Sequence, residues 1–555
     1  MGRHATFSKH ETDEKDAYRV ANILRRREVK AIAVCFINSY VNGENEIRMK
    51  EVLNEVLPDA HISISSQVMP EIFEHERFST TMVNAAVSPV VVDYVSRLGD
   101  QLSKDGYKRD LLLLHSGGGV MTPASVKDFS ARLAGSGIAA GAIASRFIGN
   151  LCGYENSIGF DMGGTSTDVS LAYKGVSSVS KDWFIEFGYP IRFPSIEVMT
   201  IGAGGGSLAW RDEGGSLRNG PQSAGAFPGP ACYANGNTVA TNSDANVVLG
   251  RLGSSLAGGE IRLDKELAEQ AIRKTVGEPF NMEPHEAAES IINVANANMA
   301  NAVRLLSIAR GYDPRDFALV AFGGAGALHG VSIAEELSIP VVIIPPNPGV
   351  TSALGCLLVD IQHDFSDSFM ADASSTSPKD LEQAFQKIEK EAHDRLYHEG
   401  VSSDNTILQR SIEMMYQGQW RSLSVPAPTN IESMAQLVES FHREHEREYN
   451  FRRDDAPVSI FRVAVKATGL VQKANLPSFE ETQHCPKVQS TRSVWFEKKC
   501  VETAIYERSS LNAGAEFNGP AILEQVDSTI VVPPNSSARV DKYLNIIIKV
   551  NGGLD

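Results

Sequence analysis

The octapeptide Asp161-Met162-Gly163-Gly164-Thr165-Ser166-Thr167-Asp168 sits between two short apolar runs, IGF before it and VSLAY after it. That pattern predicts two strands joined by a tight turn. The adjacent glycines Gly163 and Gly164 predict positive φ, with backbone N–H groups turned toward an anion. Thr165, Ser166 and Thr167 add hydroxyl donors. A carboxylate at a strand end, as at Asp161, suits a Mg²⁺-bound water beside a phosphate. Asp168 closes the motif from the other strand. The plain alternative is a Gly-Gly hairpin with no ligand.

A second glycine cluster, Gly323-Gly324-Ala325-Gly326-Ala327-Leu328-His329-Gly330, follows the buried run ALVAF and opens a helix. In an α/β sheet the carboxyl end of a strand is where ligands bind, and a helix N-terminus favours negative charge. Gly323, Gly324 and Gly326 allow close approach of a nucleotide. His329 reads equally as a ligand contact or as a packed helix residue. The spacing does not fit GxGxxG, so a dinucleotide fold is not supported. Residues 196–260 are rich in Gly, Ala and Ser, including Gly202-Ala203-Gly204-Gly205-Gly206-Ser207. So much glycine implies a backbone that must come close to something. Asp244, in TNSDAN, reads either as a catalytic carboxylate or as a helix cap.

Around these loops the chain alternates between helix and strand, which predicts an α/β architecture with parallel strands. At 555 residues, three or four domains are expected. Helices are expected over 16–27, 43–56, 77–102, 137–149 and 284–310, with Gly311 capping the last. Strands are expected at 29–35, 111–114, 317–322 and 341–344. From about 365 to 405 the chain reads as charged and helical. The stretches 411–425 and 458–471 then read as strands, and 488–550 reads as β-rich.

A net charge of −16 makes DNA or an anionic membrane a poor partner. Apolar runs such as 339–346 fall well short of the roughly 20 residues a membrane helix needs. No apolar leader is visible, and the six scattered cysteines read as reduced, mostly buried thiols of a cytoplasmic protein. GxxxxGK[ST], HExxH and GxSxG are absent. His442-x-x-His445, in FHREHEREY, reads as part of a solvated helical face.

Together, FDMGGTSTDVSL, IGAGGGSLAW, GPQSAGAFPGPACY, TNSDANVVLGRL, RDFALVAFGGAGALHG and GPAILEQVDSTIVVPP resemble the hydantoinase A/5-oxoprolinase family. The resemblance implies an actin-like ATPase fold with a β-rich C-terminal domain. It also implies ATP-dependent opening of a cyclic amide (a hydantoin, a 5-oxoproline or a lactam) or, in some members, carboxylation of a ketone. Carried over by position, Asp161 would orient Mg²⁺ or its water, and Gly163, Gly164 and Thr165 would hold phosphate oxygens, beside Ser166 and Thr167. Gly323, Gly324 and Gly326 would flank the adenosine. Asp168 and Asp244 complete the candidate catalytic set. A B-type partner subunit, a homo-oligomer or both are implied, with ATP and Mg²⁺ as cofactors.

On this reading residues 1–75 are a remnant of the N-terminal domain, 76–365 form the core with the phosphate and adenosine loops, and 366–555 form a C-terminal α+β domain. Two departures stand out. The family's first loop, DxGGTFTD, has no counterpart here, so an incomplete first lobe and a non-catalytic subunit are also weighed. Ala327 and Gly330 stand where the family often has Pro and Ala.

Overall fold

The computed structural model describes residues 13–551, except 110, 181–182, 186–187, 420–421 and 474–475. The charged stretch before residue 13 lies outside the described residues. The chain divides into two compact units, each assembled from separate segments: 1–136, 180–195 and 359–472 in the first, and 137–179, 196–358 and 473–555 in the second. The C-terminal third is thus shared between the two units.

The second unit is built on a mixed sheet. A helix rich in small residues, α1 (Ser136–Leu151), leads into the hairpin β1 (Ser157–Met162) and β2 (Thr167–Tyr173), and β3 (Val198–Ile201) pairs with β2. Then come α2 (Pro284–Leu306), β4 (Ala318–Phe322), α3 (Gly326–Leu337) and β5 (Val341–Ile344). The C-terminal strands β6 (Glu516–Asn518), β7 (Ser537–Val540) and β8 (Ile546–Lys549) complete the order β3-β2-β1-β4-β5-β8-β7-β6. β1, β4 and β5 run parallel and their neighbours antiparallel. All five residues of β4 are buried, as a central parallel strand covered on both faces requires. Pro284 starts α2 at its first turn behind a Glu283–Glu286 capping box, and its apolar stripe of Ile291, Ala295, Met299, Val303 and Leu306 is buried. Gly311, at φ +81°, ends the 3₁₀ turn that follows.

The first unit holds a six-stranded sheet in the order 423–427, 406–416, 458–469, 361–372, 120–121, 113–114. The helix expected from 365 is corrected here: Ile361–Asp372 is a strand, and helix begins only at Pro378. Ile361, His363, Phe365 and Phe369 alternate with polar positions, a period of two that the surrounding charges mask. The helix Pro378–His398 buries Leu381, Phe385, Ile388, Ala392 and Leu396 at helical spacing.

His442 and His445 are also corrected: both are buried rather than solvated. The Tyr416 hydroxyl accepts from the Arg453 N–H and lies 2.6 Å from His442 Nδ1. His445 Nδ1 lies 2.8 Å from the Phe451 carbonyl. Two histidines one helical turn apart fill an aromatic core here. All six cysteines are free, but Cys356, Cys485 and Cys500 are exposed, contrary to the buried expectation. Among the described residues no helix is long and apolar enough to cross a membrane.

Arg77 is the largest fully buried side chain. It lies on the long helix Glu74–Lys104, and its guanidinium donates to the backbone carbonyls of Glu71, Phe36 and Ile37. It therefore ties two loops to one helix. Arg77→Met keeps the volume but strands these carbonyls, and is expected to cost about 3 kcal/mol. Chemical denaturation should show the unfolding of the first unit moving to lower denaturant.

Candidate functional site

The hairpin places Asp161 directly opposite Asp168. On its other side Asp161 pairs in parallel register with Phe322, the last residue of β4 before Gly323. Asp161 Oδ2 accepts from Ser352 Oγ at 3.1 Å. Burial pushes the Asp161 carboxyl up to about 6; the Ser352 hydrogen bond opposes this and the Asp168 charge adds to it. Asp168 accepts from the Thr200 hydroxyl and is also raised by burial. Two carboxylates with raised pKa values thus face each other at the mouth of the glycine turn.

The turn is not of the expected kind. Gly163 and Gly164 are absent from the residues with positive φ. A Cβ on either would meet nothing within 4 Å. Their backbone is instead held from the side by the loop 202–207. Gly205 N donates to Gly163 O at 3.0 Å, and Gly206 N donates to Gly164 O at 2.7 Å. Gly204 is required by this approach, since a Cβ there would lie 2.5 Å from Thr165 N. The "something" that the glycine-rich stretch comes close to is, in part, the first glycine turn. Gly164 and Thr165 remain exposed at the tip, with Ser166 half-buried beside them.

Gly323 takes φ +80°, and a Cβ on it would lie 2.4 Å from Asp161 Oδ1. Its N–H donates to Pro348 O at 2.9 Å, while Ala325 N donates to Met162 O at 2.9 Å. The second glycine loop is therefore stitched to the first strand end. Gly324 is exposed and Gly326 begins α3, whose N-terminus carries no side-chain cap. Such an end leaves backbone donors for an anion.

Three expected site residues are corrected. Asp244 is fully buried and accepts from Ala231 N, Cys232 N, Thr241 N and the Thr241 hydroxyl, so the capping side of the alternative holds and it leaves the catalytic set. His329 is buried, and its Nδ1 faces Asn296 Oδ1 of α2 at 2.7 Å. Burial lowers its pKa to about 3, so it is a neutral packing residue rather than a nucleotide contact. Thr167 is buried and donates to Ala203 O at 2.6 Å, which locks the glycine-rich loop instead of reaching a phosphate.

Ser352 and Thr200 escaped sequence reading. Ser352 lies in a short helix far along the chain with no motif of its own. Thr200 could have been found from strand pairing, since it stands opposite Asp168. No group of three or more His, Cys, Asp or Glu side chains suited to a metal occurs among the described residues. A Mg²⁺ that keeps water and phosphate ligands needs only one or two carboxylates, and Asp161 with Asp168 fits that donor set.

Family models match almost end to end: Hydantoinase/oxoprolinase over residues 77–365, its C-terminal domain over 369–549 and its N-terminal region over 5–57. The chain belongs to the hydantoinase/oxoprolinase family. It is 33% identical to the caprolactamase subunit alpha of Pseudomonas jessenii over 95% of this chain and 77% of that protein. The solved ATP-dependent caprolactamase of the same organism superposes with a TM-score of 0.84 at 31% identity, covering 99% of this chain and 81% of that one. A nucleotide-free acetone carboxylase, from work on ATP-dependent acetone carboxylation, superposes with a TM-score of 0.81 at 25% identity, covering 97% and 79%.

Because its folded-state pKa is raised, Asp161 opposes folding when ionised. Its contribution is most favourable below pH 4 and is lost as pH rises through about 6. Asp161→Asn removes that loss and should stabilise the protein at pH 8 by roughly 1–2 kcal/mol, with little gain at pH 4. Denaturation at the two pH values measures it. Gly323→Ala should destabilise at both, since its Cβ has nowhere to go.

Proposed function

We propose that the chain is the ATP-handling subunit of an enzyme that activates a cyclic amide carbonyl by phosphorylation, so that the ring can be opened by water. The observation that carries this reading is the Asp161 carboxylate. It is half-buried at a strand end between two glycine loops and faces a second carboxylate. Family membership and the ATP-dependent caprolactamase among its relatives support the substrate class. The parallel strands bearing both loops accord with an actin-like ATPase arrangement.

The geometry supports a division of labour. The Gly164 N–H and the hydroxyls of Thr165 and Ser166 would hold phosphate oxygens at the exposed turn, while the Gly163 N–H, which donates to Ser166 O at 3.1 Å, shapes that turn. Gly323, Gly324 and Gly326 would bring backbone close to the nucleoside, and the uncapped start of α3 would favour the negative charge of its phosphates. Asp161, ionised above pH 6 and oriented by Ser352, would hold Mg²⁺ with Asp168; that ion would neutralise phosphate charge. Positioning and electrostatic stabilisation account for most of the catalysis in phosphoryl transfer. The relatives' subunit names support a partner subunit, and a B-type one would complete hydrolysis.

The likeness to acetone carboxylase favours a second reading, in which the phosphorylated oxygen belongs to an enolised ketone and bicarbonate takes part. Phosphate release should be measured with a B-type partner, offering lactam, hydantoin or 5-oxoproline in one arm and acetone or acetophenone with bicarbonate in the other. Ring-dependent ATP consumption is expected, rising as pH passes through about 6, with Asp161→Asn at least ~100-fold slower. Bicarbonate-dependent consumption with the ketone alone selects the second reading. No ATP consumption in either arm makes the chain a non-catalytic subunit.

A further inference from the structure

The segment after β5 touches the site at two points. Its Pro348 carbonyl accepts from the Gly323 N–H at 2.9 Å, and its Ser352 hydroxyl donates to Asp161 at 3.1 Å. Between these contacts the chain is tied to itself. The Val350 N–H donates to the Asn347 carbonyl at 3.2 Å, and the Thr351 hydroxyl donates to the same carbonyl at 3.1 Å. Residues 346–352 thus form a short strap, joined at one place to the second glycine loop and at another to the Asp161 carboxylate.

A hairpin far along the chain grips this strap. Its strands Ala521–Glu524 and Thr529–Val532 pair antiparallel, and the Gln525 N–H closes the turn on the Ser528 carbonyl at 3.1 Å. Asp527 Oδ2 accepts from the Gly349 N–H at 2.8 Å. Asp527 Oδ1 accepts from the Gln525 side-chain amide, which also donates to the Pro346 carbonyl at 3.0 Å. One turn therefore holds the strap at both 346 and 349. A carboxylate accepting from a backbone N–H makes a stronger bond than a neutral acceptor would. The approach is close: a Cβ on Gly349 would lie 2.8 Å from Asp527 Cβ. The turn also reaches the second glycine loop, since a Cβ on Gly324 would lie 3.8 Å from the Asp527 carbonyl oxygen. Among the described residues the Asp527 side chain bonds only to the strap and to its own turn.

We propose that Asp527 is a positioning residue, which holds the strap so that Ser352 orients Asp161 and Pro348 fixes the Gly323 backbone. Its effect on turnover rests on the phosphoryl-transfer reading above; its effect on the strap does not.

The test has two readouts on the full chain. The first is amide hydrogen exchange without nucleotide, for the wild type, Asp527→Ala and Asp527→Asn. Asp527→Ala should speed exchange at Gly349 and also at Gly323, whose partner is on the strap and not on Asp527. Amides of α2 should not change. Asp527→Asn keeps an acceptor for the Gly349 N–H and should lie nearer the wild type. Unchanged exchange at Gly323, or faster exchange throughout α2, would overturn the proposal, the second because the role would then be general folding. The second readout is lactam-dependent ATP consumption with a B-type partner. Asp527→Ala should lower kcat about tenfold and leave KM for the lactam within about twofold. Ser352→Ala should act through the same contact, so the double variant should be no slower than the slower single one. Losses that multiply would also overturn the proposal. A wild type that consumes no ATP contradicts the phosphoryl-transfer reading alone, and exchange at Gly323 then decides the role of Asp527.

Discussion

The two glycine loops depend on one carboxylate held where a carboxylate is costly. Asp161 is half-buried at the end of β1, and that partial burial lifts its pKa to about 6. Ser352 supplies a hydrogen bond and Gly323 supplies room, because its left-handed backbone has no Cβ to occupy the carboxylate's place. Any side chain at 323 would displace Asp161 or the strand end that carries it. The hairpin then sets Asp168 opposite, and each charge makes the other harder to ionise. A bound cation with phosphate ligands would relieve that repulsion, so the cost in the empty protein becomes binding energy for the filled one.

The glycine-rich stretch serves this arrangement indirectly. Loop 202–207 lies against the turn at Gly163 and Gly164 and takes up both carbonyl groups, with Thr167 pinning it from below. The turn is thereby rigid while its tip stays open to solvent. Asp244 secures a further layer, since it caps the helix that begins at Asn242 and fixes the Ala231–Cys232 backbone. Sites of this kind hold the reacting groups on strand ends and brace them with packed loops.

Much of this was legible in the sequence, because the informative features are local. Apolar runs flanking DMGGTSTD predict the hairpin, ALVAF predicts the central strand, and the glycines after it predict the loop that opens α3. Harder to read were choices settled by partners distant in sequence. His329 and Thr167 carry polar atoms in a motif-rich setting, yet Asn296 and Ala203 claim them. Ser352 joins the site from 191 residues away, and no spacing rule reaches that far. The strand at 361–372 was hidden by its charges, and the pair His442 and His445 by the glutamates and arginines around it. In each case tertiary packing outweighed the local polarity that suggested solvent.

The most direct test of the central claim is amide hydrogen exchange of the whole chain with and without Mg²⁺·ATP. Slowed exchange is expected at the tip amides 164–166 and at 324, 326 and 327, whose N–H groups would turn to phosphate, with the sheet of the first unit unchanged. Binding of Mg²⁺·ATP without protection at these two loops would contradict the assignment of the nucleotide to them.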